Sequence, residues 1–172
     1  MEDIKNELEL PNEFNKLMIC LRMSHDSGKS GTIRALAELL MPNPAVANAH
    51  WFNPQLTPQE INALPKNISE WEFDICVAVD VRKKHVGLSS HGDYPDIVKD
   101  CLESLVKDKC EIIFCACRSR GQTVTEVENI AIKYNYALIM TVPYLLIEPS
   151  QLKDKFKAIL NMRKAKHLED FI

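Results

Sequence analysis

The sequence lacks long apolar runs, a surplus of one charge and much glycine, and each shortage excludes a class of protein. Its longest apolar stretches, such as 111–117 with charge on either side, fall far short of the roughly 20 residues that a membrane-spanning helix needs. Its first fourteen residues are acidic and polar, with neither the basic start nor the apolar stretch of a secretory leader, so a cytoplasmic location is expected. Lysine and arginine number 21 against 24 acidic residues, scattered among one another, for a net charge of −3. That balance leaves no electrostatic footprint for duplex nucleic acid. With five glycines, 46% apolar and 26% charged residues in 172, composition excludes wholesale disorder, a collagen-like repeat and a coiled-coil rod. One compact domain covering residues 1–172 is the expectation.

Six cysteines are present. Cys20, Cys76, Cys115 and Cys117 lie inside strand-like apolar runs, where cysteine acts as a small hydrophobe, so reduced thiols are expected. Cys115 and Cys117 are two apart, which does not match the two-residue gap of a zinc knuckle.

The periodicity reads as alternating strands and helices. Residues 16–22 form a strand, and 29–40 a helix with Ile33, Leu36, Ala37 and Leu40 on one face. Across residues 42–70 the pattern dissolves; five of the nine prolines and five asparagines fall there. This predicts an irregular excursion, either functional or hiding a misread element, with His50, Trp51 and Phe52 as cover for the sheet. Residues 73–80 and 84–89 read as a hairpin. There follow a helix over 93–107, a strand over 111–117, a helix over 123–134 opened by a Thr123–Glu126 capping box, and a strand over 137–142. A final helix over 150–168 offers Leu152, Phe156, Ile159 and Leu160 as its apolar face.

Such alternation predicts an α/β fold: a mostly parallel sheet with one antiparallel hairpin strand and helices on both faces. In open sheets ligands bind beyond the carboxyl ends of the parallel strands, so the loops after Arg22, Ser89 and Cys117 should share one edge. Four of the five glycines, Gly28, Gly31, Gly92 and Gly121, fall in or just beyond these loops. Asp80 should point to the opposite edge, which ranks it below Asp93.

The first loop ends in Ser27-Gly28-Lys29-Ser30-Gly31 and opens a helix. Backbone amides at a helix start, a lysine and a hydroxyl are what a polyphosphate with Mg²⁺ requires. The segment resembles the Walker A motif of P-loop nucleotide-binding proteins, and SGKSGTIRALAELL over 27–40 is similar to the same stretch in small ATP-dependent kinases. The resemblance implies a three-layer P-loop-type sheet. It also implies ATP with Mg²⁺ as the bound nucleotide, with Ser27, Gly28, Lys29, Ser30 and Gly31 on the phosphates and Ser30 on the metal. Met23 stands where the motif's first glycine would be, and Asp26 adds a negative charge inside the loop. An ordinary strand-to-helix turn is the competing reading.

In the second loop, Ser89-Ser90-His91-Gly92-Asp93, the resemblance implies Asp93 in the metal's outer shell and Gly92 contacting the terminal phosphate. Asp93 as a plain helix cap is equally open, and His91 reads as a surface residue. Ser89 stands where Ras-type GTPases carry a metal-ordering aspartate. No asparagine-lysine-x-aspartate follows Cys117, so guanine specificity has no support. In the third loop, Arg118 and Arg120 could grip phosphate oxygens or stabilise charge during transfer. Three functions compete: an ATP·Mg-dependent kinase or triphosphatase acting on an unknown small-molecule or protein partner; a non-catalytic nucleotide-responsive regulator with a degenerate loop; and a scaffold with thiol chemistry at Cys115 or Cys117.

Overall fold

The computed structural model describes residues 16–22, 28–45, 47–142 and 153–172. In chain order the elements are β1 (Leu17–Arg22), α1 (Lys29–Leu40), β2 (Ala49–Asn53), α2 (Pro58–Ala63), a 3₁₀ turn (Ile68–Glu70), β3 (Cys76–Val81), β4 (Lys84–Ser89), α3 (Pro95–Lys107), β5 (Ile112–Cys117), α4 (Gln122–Lys133), β6 (Ala137–Thr141) and α5 (Lys153–Glu169). The six strands make one sheet in the order β2-β3-β4-β5-β1-β6. Strands β4, β5, β1 and β6 pair in parallel, and β3 is antiparallel to both neighbours, so it alone opposes the rest. The expected α/β sheet with a single reversed hairpin strand is borne out.

Strand alternation divides the interior into two cores, one on each face. Leu17, Ile19 and Leu21 join Ile33 and Leu36 of α1 and Ala165 and Leu168 of α5. Met18 and Cys20 turn the other way, toward Val98, Leu102 and Leu105 of α3 and Val127 and Ile130 of α4. All six cysteines fall in this second core, buried and free, as their apolar surroundings predicted. Phe114 is fully buried in the first, at the centre of the sheet.

Three expectations need correction. The 42–70 stretch is not irregular: it holds β2, which pairs with β3, and α2, closed by a Thr57–Glu60 capping box. Periodicity missed β2 because it is five residues long and only Trp51 is buried. As cover, Trp51 stacks on Trp71 at 5.3 Å between ring centroids, and Trp71 on Phe73 at 5.2 Å. The Thr123–Glu126 box does not form, because α4 starts one residue earlier from Gly121, whose φ of 95° and ψ of −163° suit glycine alone. Thr123 instead accepts a hydrogen bond from the Arg118 amide at 3.0 Å. The face of α5 was misassigned as well. Ile159 is exposed, whereas Lys164, Ala165 and Leu168 are buried. Leu152 and residues 1–12 lie outside the described residues, and nothing is described of the Phe156 side chain.

Among the described residues, no helix is long and apolar enough to cross a membrane.

Candidate functional site

Parallel pairing sets the ends of β1, β4 and β5 side by side, with Arg22 opposite Cys117 and Ser89 opposite Cys115. The carboxyl ends of these three strands therefore share one edge, as expected, while residues 23–27, which follow Arg22, lie outside the described residues. Because β3 runs the other way, the residues just before it join that edge, which brings in Asp74. Asp80, at the far end of β3, pairs with His85 on the opposite edge, as its ranking anticipated.

Helix α1 starts on this edge. Gly28 holds its N-cap position in the left-handed region (φ 87°) and offers no side chain to the first turn. Lys29, the first helical residue, is only 6% exposed, and its charge reaches the Cys117 thiol at the end of β5. The Ser30 hydroxyl donates to the Ser90 carbonyl at 3.0 Å. Ser27, with Met23 and Asp26, lies outside the described residues.

Ser90 is fully buried and organises the second loop. Its hydroxyl accepts from the Ile75 amide at 2.8 Å and donates to Asp74 Oδ1 at 2.8 Å. Asp74 also faces Arg34 Nη1 at 3.7 Å and His91 Nδ1 at 3.9 Å. Burial lowers the basicity of Arg34, and Asp74 opposes the shift. His91 is not the surface residue expected. Burial lowers its pKa against the pull of Asp74, and its Nε2 has no hydrogen-bond partner among the described residues. Ser30, Ser90 and Asp74 thus form one hydrogen-bonded chain from the helix start to a carboxylate that periodicity did not single out.

Ser89 sits among the thiols of Cys76 and Cys101, facing the second core and turned away from α1. Asp93 does not hold the N-cap of α3, which is Tyr94; it meets Arg118 Nε at 3.3 Å, with side chains 34% and 49% exposed respectively. Arg120 is exposed and makes no ion pair to a described residue. Gly92 has a packing reason to be small, since a β-carbon there would lie 3.2 Å from the Ala116 carbonyl carbon and side chain.

Helix α5 contributes two side chains that sequence reasoning missed. Asn161 accepts from the Thr32 hydroxyl at 3.2 Å and lies against α1 so closely that a β-carbon at Gly31 would come within 2.3 Å of its amide nitrogen. One at Gly28 would come within 2.8 Å of its oxygen. Lys164 is buried and donates to Thr141 Oγ1 at 3.0 Å at the end of β6, with its pKa lowered by burial. An open cleft of about 440 Å³ lies beside β6, lined by Arg22, Ser119, Met140, Thr141 and Val142. There the Arg22 guanidinium donates to the Ser119 carbonyl at 2.8 Å.

The Cys117 and Cys20 thiols are poorly suited to nucleophilic chemistry. The neighbouring thiol of Cys20, then burial, push the Cys117 pKa up against the weaker pull of Arg22 and Lys29; Cys20 is likewise raised, first by Cys115. A thiol held protonated in an apolar setting is inert.

No protein-family model, curated protein or solved structure matches the chain.

Proposed function

We propose that the chain is a nucleotide-binding P-loop protein that takes ATP with Mg²⁺, in preference to GTP, at the carboxyl ends of β1, β4 and β5, and acts as a small phosphotransferase or nucleoside triphosphatase. The observation that carries this reading is Lys29. An ammonium buried at the first position of α1 stands at the positive end of a helix dipole, an arrangement that a polyanion stabilises. Arg22, Arg118 and Lys164 add positive charge along the same edge. The cleft beside β6 has the size and the apolar walls, Met140 and Val142, that a nucleobase needs.

Magnesium favours hard oxygen donors, one or two carboxylates completed by water and phosphate. The Ser30 hydroxyl and the Asp93 carboxylate fit that preference, and Asp74, joined to Ser30 through Ser90, supplies the acid that Ser89 does not. Bound there, the ion would neutralise charge on the β and γ phosphates. Lys29 holds the phosphates, Gly28 and Gly31 add no side chain to a helix start that Asn161 of α5 already approaches, and the Gly92 amide faces the terminal phosphate. Arg118, exchanging Asp93 for the nucleotide, stabilises charge on the group in transfer, with Arg120 available from the same loop.

One pair of observations favours a regulatory module that binds without turnover: Ser89 replaces an acid and faces the core, and Asp93 already neutralises Arg118. Phosphate release from ATP separates the two. Turnover that disappears in Lys29→Ala, with the circular dichroism spectrum unchanged, supports the enzyme. Nucleotide-dependent thermal stabilisation without phosphate release supports the module, and no stabilisation by ATP, GTP or their diphosphates with Mg²⁺ defeats both.

A further inference from the structure

The opposite edge of the sheet carries a second cluster, built from four elements. His85 is the second residue of β4, and its Nδ1 lies 2.6 Å from Asp80 Oδ1, its cross-strand partner on β3. Its Nε2 lies 2.8 Å from Oδ2 of Asp108, the residue that ends α3. The other oxygen of Asp108 faces His50 Nδ1 on β2 at 3.4 Å. The buried thiol of Cys110 closes the group, and one ligand atom each from His85, Asp108 and Cys110 lies within 4.8 Å of the others.

We propose that this cluster is a binding site for a zinc-like divalent transition metal, with His85 Nε2, Asp108 and Cys110 as ligands and His50 as the fourth. The donor set of two imidazoles, a carboxylate and a thiolate suits Zn²⁺ or Co²⁺ and is too soft for Mg²⁺ or Ca²⁺. Donors at tetrahedral zinc distances stand roughly 3.3–3.8 Å apart, so the three close on an ion by small side-chain movements. His50, 64% exposed, is free to rotate toward them.

A second feature belongs to metal sites more than to simple ion pairs. A ligating histidine commonly gives its other ring nitrogen to a carboxylate, which fixes the tautomer and the ring plane. Asp80 takes that position on His85 and is itself held by the Asn48 amide at 2.6 Å. Cys110 supplies the complementary argument. Its buried thiol lies within 4.8 Å of the His85 and Asp108 ligand atoms, and a divalent cation bound there would hold it as the thiolate. The ion would tie β2, the β3–β4 hairpin and the α3–β5 junction together. Its place is structural, remote from the edge proposed for the nucleotide.

The test is calorimetric titration of Zn²⁺ into the full chain, stripped with chelator and kept reduced, with Co²⁺ absorption as the ligand-sensitive readout. The expected result is one equivalent bound, a thiolate-to-cobalt charge-transfer band lost in Cys110→Ser, and affinity at least 100-fold weaker in His85→Ala. Asp80→Asn, which leaves all four ligands in place and changes only the partner of His85 Nδ1, should weaken binding by about 10–100-fold. His50→Ala, at an exposed site that the fold tolerates, should weaken it at least 10-fold. No binding of Zn²⁺ would overturn the proposal. So would binding that Cys110→Ser, His85→Ala and His50→Ala all leave unchanged, since the metal would then sit on other thiols.

Discussion

Asp74 is the residue whose replacement separates the architecture of the nucleotide edge from its chemistry. In Asp74→Ala the buried Ser90 hydroxyl keeps its bond from Ile75 but loses the carboxylate it donates to. A hydrogen bond to a charged partner is worth about 1.5–3 kcal/mol. The half-buried Arg34 pair at 3.7 Å adds about 0.2–1 kcal/mol. The expected loss is about 2–4 kcal/mol in urea unfolding, or about 4–16 °C in Tm for a chain of this length. Asp74→Asn preserves an acceptor for Ser90 and should stay within about 1 kcal/mol of the parent. On the proposed function, that same variant weakens ATP binding in Mg²⁺ but not in EDTA. An unchanged unfolding free energy in Asp74→Ala would refute the structural reasoning, and an unaltered Mg²⁺ dependence in Asp74→Asn would refute the functional part.

Other consequences are simpler to read. Gly121→Ala meets no atom within 4 Å, yet its backbone angles should cost about 1–3 kcal/mol in urea unfolding; a neutral result would mean the loop relaxes freely. Phe114→Ala, at the fully buried centre of the sheet, should lose about 3–5 kcal/mol by the same assay. The Thr57 amide and hydroxyl, each 2.8 Å from its carboxylate, hold the Glu60 pKa down. A depressed carboxylate pKa stabilises the fold above the unfolded value, about 4.3, and that stabilisation disappears as pH falls through the folded one. The difference in urea midpoint between the parent and Glu60→Gln should therefore shrink from pH 6 toward pH 3, and a constant difference would contradict the capping role.

The sheet was legible where chemistry and periodicity agreed. β4 and β5 announce themselves as apolar runs bounded by charge, and α3 as an amphipathic stripe, so the edge shared by their loops followed from topology. Strand β2 was not legible, because a five-residue strand with one buried side chain, set among prolines and asparagines, carries too little pattern. The face of α5 misled for a related reason: a lysine and an asparagine occupy it, and apolar counting gives them no weight. Asp74 was within reach. A reversed strand over 73–80 begins at the same edge where its parallel neighbours end. The glycines were ambiguous in principle, since close approach by Asn161 to Gly28 and Gly31 asks for the same missing β-carbon that a phosphate would.

The central claim is that a polyphosphate rests at the start of α1 against Lys29. Calorimetric titration of MgATP into the parent chain and Lys29→Ala tests it most directly. The account predicts saturable one-to-one binding, weakened in the variant by about 1.5–3 kcal/mol, or about 10–150-fold in Kd. Heat indistinguishable from dilution in the parent, or equal affinity in the two proteins, would contradict it.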